Sequence, residues 1–482
     1  MSVEETALGT LDSLPRPEDV KRTLPRQQPM LLLGCFTMAT LALVLVGGTL
    51  ARYLIPFVAA GTAYLLYRRA PVTYVSFVWW LWFLICFLRR IVDYRSGFAE
   101  TNPILAAPFL ASLMCAPSLF RRPEIWRLRS SFPFVLAFAS VLYGFGVGFL
   151  CIPKKILLMS ALGWFSPLVF GFFVFSEFTY SDRREAYIKS LQTTFRWGVL
   201  IMGAYGVIQY VLAPGWDVLW MTETQMGSIG SPEPFSLRVF STMNGPGALA
   251  FTLIAGLMLL LSQRGFLPLL ASAAGYAALL LSSVRAAWGA FLLAILLLAF
   301  QEKKYVMRLV VAAVIIGACV GGAMVIEPVR ETVQNRFLSF TDMQNDTSYQ
   351  ERQNGQEQMI TYAVDEPFGT GLGTMEAEFA GKTSLGTRDS GFWEIALSLG
   401  WVAGSVYLAA LALLAWNVWQ PGFSRTTTEV IAACITIGLL SQLLLGSVML
   451  GVTGSAIWMF AGIAMAPPDS ANFAPGENKN GN

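Results

Sequence analysis

The sequence predicts an all-α polytopic membrane protein with about 12–14 transmembrane helices and one large external loop. Its 482 residues are 55% hydrophobic and only 13% charged, which is outside the composition of ordinary soluble proteins. Apolar runs of about 17–22 residues recur along the chain, and each is long enough to cross ~30 Å of hydrocarbon as a helix. One long polar stretch, Arg330–Asp389, interrupts these runs late in the chain and predicts the loop.

Composition divides the chain into five parts. In order they are a cytoplasmic tail at 1–29, transmembrane helices at 30–327 with a smaller external loop at 214–243, the large external loop at 328–391, C-terminal transmembrane helices at 392–466 and a cytoplasmic tail at 467–482. The tails are polar and contain proline, which is typical of disordered segments. The apolar runs lie at 30–48, 51–67, 73–91, 103–119, 132–152, 156–176, 195–213, 244–262, 265–283, 285–301, 306–327, 392–416, 428–447 and 448–466.

Basic residues predict the orientation of the chain in the membrane. If the N-terminus is inside the cell, 20 of the 33 Lys and Arg residues fall in cytoplasmic segments, as expected from the retention of cationic loops on that side. Both termini are then cytoplasmic, and the long loop faces the cell exterior or the periplasm.

The long loop has the composition of a folded, functional segment. It contains five cations, ten acids and interspersed aromatic residues, and long polar loops between helices usually bind or catalyse. Asp346 is predicted to cap a helix at about 347–364 that carries Arg352. A turn at 365–373 follows. Its GTGLG sequence is a poor phosphate-loop signal, because no strand precedes it and no lysine follows it.

Missing residue types limit the possible chemistry. The chain contains no histidine, so any general base must be a carboxylate, a lysine or a tyrosine. Its six cysteines lie in or at the ends of predicted spans. Neither a disulfide framework nor a zinc site is expected.

Several basic residues are predicted on the external side, against the charge bias. The eight outside the long loop are Arg52, Arg89, Arg90, Arg95, Lys154, Lys155, Arg238 and Arg285. They either extend to the lipid headgroups from helix ends or neutralise an anionic, lipid-linked substrate.

Two of these arginines are the strongest candidates for anion binding. Arg285 lies between strongly apolar sequences with no nearby acid, so its partner must come from elsewhere in the fold or from a ligand. Arg238 lies near the end of the smaller loop, before Asn244, Gly245 and Pro246, which predict a turn and a helix start. Arg238 is either an interfacial residue at this helix entry or a ligand-binding residue.

Three separated motifs follow one another in the chain. They are RVFSTMNGPGALA, SSVRAAW, and DTSYQERQNGQEQMITYAVDEPFGTGLGTMEAEF followed by DSGFWEIALSLGWVAG. In this order, over about residues 230–416, they resemble the O-antigen ligase and O-antigen polymerase superfamily of bacterial membrane glycosyltransferases.

The resemblance implies a fold like that of C-type glycosyltransferases, in which the external loop covers a cavity open to the outer leaflet of the inner membrane. It implies inverting transfer of a glycan from a polyprenyl diphosphate to a sugar hydroxyl, without a metal or other cofactor. Arginines matching Arg285 and Arg352 are expected to hold the diphosphate, and Arg238 in the first motif is a further candidate. A metal-free site needs fixed cations because negative charge grows on the leaving group.

The chain departs from the superfamily at one informative position. Ligases place a histidine just before the helix that follows the loop, whereas this chain has Asp389 there. Asp389 is the candidate general base for the acceptor hydroxyl, with Glu394 and Asp346 as substitutes. In the alternative interpretation, Asp389 or Ser390 only caps the helix that begins at about residue 391.

These observations favour a polysaccharide polymerase that joins lipid-diphosphate-linked repeat units. A ligase that moves a finished glycan to a lipid or protein acceptor is the close alternative, and the missing histidine favours the polymerase. A flippase for lipid-linked glycans is a third hypothesis, although the halves show no internal repeat. Expected partners are the polyprenyl-diphosphate-linked donor and acceptor, membrane lipids, a chain-length regulator and other polysaccharide assembly proteins, with no nucleic acid.

Overall fold

The computed structural model describes residues 27–180, 182–225, 229–323, 360–361, 363–375, 390–420 and 426–467. Within these residues the regular secondary structure is helical, and β pairing is limited to one isolated bridge between Gly230 and Leu237. The predicted all-α membrane class is confirmed.

The α-helices form an extended series joined by short connections. In chain order they are α1 Gln27–Val46, α2 Leu50–Arg69, α3 Pro71–Ser96, α4 Ala107–Leu113, α5 Ser118–Arg121, α6 Phe132–Cys151, α7 Lys154–Tyr180, α8 Arg184–Leu212, α9 Gly215–Thr224, α10 Pro246–Leu260, α11 Phe266–Leu281, α12 Arg285–Gln301, α13 Val306–Ala323, α14 Gly391–Trp419, α15 Thr427–Leu440 and α16 Gly451–Met465. Each of the fourteen predicted apolar runs overlaps helical residues.

Helix length separates two groups of spans in the described part of the chain. Eight segments are long and apolar enough to cross a membrane, namely Gln28–Val46, Leu50–Arg69, Pro71–Ser96, Pro103–Arg121, Arg129–Cys151, Lys154–Tyr180, Arg184–Leu212 and Gly391–Trp419. Five apolar helices, α10, α11, α12, α15 and α16, have no more than 17 residues. A helix of that length reaches only about 26 Å, short of the ~30 Å hydrocarbon thickness.

Small residues allow the helices to approach closely, as is usual between membrane helices. A Cβ atom added at Gly171 of α7 would lie 2.6 Å from the Cβ of Trp458 in α16. Between α8 and α11, a Cβ at Gly203 would lie 2.5 Å from the backbone carbon of Ala274. Side chains larger than hydrogen at these glycines would force the helix pairs apart.

Two predicted segments differ from the structure. The run 103–119 was expected to be one helix, but it consists of a 3₁₀ turn followed by α4 and α5, since Pro103, Pro108 and Pro117 lack the N–H that a continuous helix needs. The predicted external loop 214–243 contains α9, whose apolar residues are drawn into the core.

An internal segment of the long loop, residues 366–375, is anchored between two helices. The N–H of Leu372 donates to the carbonyl of Gly144 in α6 at 3.0 Å, and the N–H of Thr370 donates to the carbonyl of Leu397 in α14 at 2.9 Å. Residues 366–375 therefore form a turn packed against the bundle. This agrees with the prediction of a turn and not a phosphate loop.

This anchored segment interrupts α14. Gly400 has φ 71° and ψ 179°, a conformation that favours glycine, so the predicted continuous span 392–416 is wrong at this point. The N–H of Trp401 donates to the carbonyl of Pro367 at 2.8 Å, and its indole N–H donates to the carbonyl of Ala363 at 2.7 Å. Backbone groups freed by a break within a membrane must be satisfied by protein, and the loop supplies the acceptors.

Candidate functional site

The structure brings together Arg238 and Arg285, which are 47 positions apart in the sequence. Arg285 is the first residue of α12, directly after the turn that joins it to α11. The guanidinium group of Arg238 donates from Nε to the carbonyl of Ser282 at 3.3 Å and from Nη2 to the carbonyl of Ser283 at 3.1 Å. These carbonyls are in that same turn, so the Arg238 guanidinium group contacts the turn that leads directly into Arg285.

The turn has a tight backbone and leaves the start of α12 without a side-chain cap. Ser283 has φ 54°, and the N-cap residue Val284 is extended and supplies no side-chain acceptor. The first N–H groups of a helix carry partial positive charge and commonly bind anions. A helix start that begins with an arginine, next to a turn contacted by a second guanidinium group, is suited to a phosphate or diphosphate group.

The chain around Arg238 is held by the neighbouring helices. The N–H of Val239 donates to the carbonyl of Leu281 at 3.1 Å, and the N–H of Arg238 donates to the carbonyl of Ile229 at 2.8 Å. The predicted turn and helix start are confirmed, because Gly245 is the N-cap of α10 and Pro246 its first residue. Arg238 is half-buried, and both interpretations of its role stay predictions.

Glu394 lies in the first turn of α14 and is buried, with 4% of its surface exposed. It interacts electrostatically with Tyr407, whose ring packs edge-on against Trp164 at 5.5 Å between centroids. Ionisable residues in such surroundings are costly and are often functional in membrane proteins. Glu394 therefore remains a candidate proton acceptor.

Packing places Glu394 and Arg285 at the same end of the bundle. The N–H of Gly391, at the start of α14, donates to the carbonyl of Leu443 at 2.8 Å, just beyond the end of α15. A Cβ at Gly438 in the last turn of α15 would lie 3.0 Å from the carbonyl oxygen of Ala290, near the start of α12. The starts of α12 and α14 thus meet the same end of α15.

The remaining predicted site residues have different outcomes. Arg352, Asp389 and Asp346 lie outside the described residues, so their roles stay predictions. The predicted helix start at about 391 is confirmed, and Ser390 occupies the N-cap position without a capping hydrogen bond from its side chain.

Two buried acids that the sequence analysis did not single out bind other cations of the predicted external set. Asp93 forms ion pairs with Arg52 at 3.0 Å and Arg89 at 3.2 Å, and Asp217 pairs with Arg90 at 2.7 Å. These three arginines neither extend to the headgroups nor join the Arg238–Arg285 pair. The spacing of four between Arg89 and Asp93 is a helical ion-pair signal that points to the first acid; no local pattern points to Asp217.

Part of the chain that contains Arg285 and Glu394 is similar to a known protein family. Residues 267–408 match the O-Antigen ligase family model. The resemblance inferred from the motifs is therefore confirmed over a segment that contains Arg285 and Glu394. The match supports an enzyme of the O-antigen ligase or polymerase type in a membrane. Comparisons with curated proteins and with solved structures give no match.

Within the segment that matches the O-Antigen ligase family model, Glu394→Gln is expected to slow glycan transfer by about 10²-fold or more, the usual contribution of a general base. The amide keeps the shape of the side chain and removes its negative charge. Initial rates with purified, monodisperse protein test this.

The control for this variant is Glu429→Gln. Glu429 is also buried, but it caps α15 at the opposite end and pairs with Arg184 at 3.6 Å. We expect it to lower thermal stability and leave the rate per folded molecule near that of the wild type. A normal rate for Glu394→Gln together with a slow Asp389→Asn would assign the proton to Asp389.

Proposed function

We propose that this protein is a polysaccharide polymerase that joins polyprenyl-diphosphate-linked oligosaccharide repeat units at the outer face of a bacterial inner membrane. The observation that carries the proposal is the contact of the Arg238 guanidinium group with the turn that leads into Arg285. The family match over residues 267–408 supports the same class of reaction.

The proposed reaction is a single displacement at the anomeric carbon of the donor. A carboxylate, Asp389 or Glu394, takes the proton of the acceptor hydroxyl as its oxygen attacks that carbon. The bond from the carbon to the diphosphate oxygen breaks, the configuration inverts, and the polyprenyl diphosphate leaves with the bonding electrons. Arg238, Arg285 and Arg352 would stabilise the charge that develops on it, as fixed cations do in water-poor sites without a metal.

The short helices support a site below the membrane surface. Because α10, α12, α15 and α16 are too short to cross the full hydrocarbon thickness, we place the diphosphate site below the membrane surface, at the start of α12. This geometry supports entry of the donor from the outer leaflet.

A ligase is the second candidate. The description of the matching family as O-Antigen ligase favours it, whereas the absence of histidine from the chain favours the polymerase. Both reactions use the same donor site, so the two differ in the acceptor.

The test is an acceptor assay with one purified lipid-linked repeat unit and the full chain in lipid nanodiscs. A ladder of products that differ by one repeat unit is the expected result. A single transfer to an added lipid or protein acceptor, with no ladder, would support the ligase. A donor with a monophosphate in place of the diphosphate is the matched control and is expected to react poorly. Absence of transfer with either acceptor would contradict both proposals.

A further inference from the structure

A buried charge network contacts the segment Phe240–Met243, which follows Arg238 in the chain. Arg90 of α3 and Asp217 of α9 are both 0% exposed, and Arg90 Nε lies 2.7 Å from Asp217 Oδ1. Aromatic rings surround the guanidinium group, with the ring centre of Phe240 at 4.9 Å. A buried ion pair often adds little to stability relative to apolar residues of similar volume. The role of this ion pair is therefore better explained by the backbone segment that it positions.

Arg90 holds the segment Phe240–Met243 from one side. Its Nη1 donates to the carbonyl of Met243 at 2.5 Å, and its Nη2 donates to the carbonyl of Ser241. Ser241 has φ 49°, a backbone conformation that is costly for a residue other than glycine and needs support from its surroundings.

Asp217 holds the same segment from the other side through Gln209 of α8. The Gln209 side chain donates from Nε2 to Asp217 Oδ2 at 2.8 Å. Its Oε1 accepts from the N–H of Ser241 at 2.7 Å and from the N–H of Phe240 at 3.1 Å. The hydroxyl of Tyr205 also donates to Asp217 Oδ2, at 2.7 Å. The ion pair thus links two sets of backbone contacts, which reach Phe240, Ser241 and Met243.

The segment Phe240–Met243 adjoins the anion-binding turn. Arg238 lies two positions before Phe240, and its guanidinium group contacts the carbonyls of Ser282 and Ser283. A shift of Phe240–Met243 would move the backbone that carries Arg238. The position of Arg238 relative to Arg285 therefore depends on the network.

We propose that Arg90 and Asp217 are positioning residues that hold Arg238 in the diphosphate site. The proposal rests on the proposed function. Neither residue needs to contact substrate, and their effect passes through the backbone of Phe240–Met243.

The decisive variant replaces both charges, Arg90→Met with Asp217→Leu. It leaves no buried charge unpaired, so the protein is expected to fold, but it removes the contacts to the Ser241 and Met243 carbonyls. We expect the KM for the lipid-linked donor to rise about 10-fold or more in monodisperse protein, as for loss of a charge-assisted hydrogen bond. The change in kcat should be smaller.

A second variant is Arg90→Lys with native Asp217. It keeps the positive charge and loses the planar guanidinium fork, so we expect a KM between those of the wild type and the double variant.

The matched control is the partly buried pair at the opposite end, Arg184→Met with Glu429→Leu, for which the donor KM is expected to stay within about twofold of the wild type. A donor KM unchanged in the folded Arg90/Asp217 double variant would overturn the positioning role. If the double variant does not fold, Arg90→Lys decides alone, and a wild-type donor KM in that variant would overturn the role as well. Failure of the wild-type protein to transfer any glycan would instead count against the proposed function.

Discussion

Replacing Arg285 with alanine is expected to abolish glycan transfer while leaving the protein folded in the membrane. Arg285 begins α12 beside the turn that Arg238 contacts, so the substitution removes one of the fixed cations of the proposed diphosphate site. Loss of a single preorganised donor typically costs about 10²–10³-fold in rate. Alanine is a good helix former and should preserve the start of α12. Initial rates with the lipid-linked donor, measured beside size-exclusion profiles, test the expectation.

Two further variants sharpen this test. Arg285→Lys keeps the charge but loses the planar fork, so we expect a partial loss if the guanidinium group binds phosphate oxygens bidentately. Arg95→Ala is the control, because Arg95 is exposed and donates to the carbonyl of Leu45 at 3.0 Å. It should retain the wild-type rate. Normal product formation by Arg285→Ala would remove Arg285 from the diphosphate site.

The second large effect is expected for Gly148→Ala in α6. A Cβ atom at this position would lie 2.8 Å from the carbonyl oxygen of Leu372 and 3.0 Å from its nitrogen, so the anchored segment 366–375 of the long loop must move away. Overpacking of this kind typically costs about 1–3 kcal/mol. We also expect transfer to fall, because the same segment fixes the break in α14 next to the half-helix that carries Glu394.

The control for Gly148→Ala lies two residues away in the same helix. A Cβ at Gly146 would meet nothing within 4 Å, so Gly146→Ala should leave transfer unchanged. Its thermal stability should be equal or higher by about 0.5–1 kcal/mol, because alanine favours a helix over glycine. Thermal unfolding in one detergent and the transfer assay compare the two variants directly. Equal behaviour of Gly148→Ala and Gly146→Ala would refute the anchoring role of residues 366–375.

Local sequence patterns predicted the helices well where length and hydrophobicity decide the structure. The helix start at Pro246 follows from the Asn-Gly-Pro sequence, and the start of α14 at Gly391 follows from the change of composition after the loop. The break at Gly400 was missed, because LSLGWVAG reads as continuous apolar sequence. Its cause is the loop backbone at Pro367 and Thr370, which reaches α14 only in the folded protein.

The sequence by itself determined that this is an all-helical membrane protein with a long polar loop, because the cost of burying polar groups in hydrocarbon acts on each segment separately. It also marked Arg285 as a charge in an apolar setting. Only the tertiary structure decided the partners of the arginines: Arg238 contacts the turn before Arg285, whereas Arg90 is committed to Asp217. Arg90 and Asp217 are 127 positions apart, and a buried charge takes whichever opposite charge the packed helices bring to it.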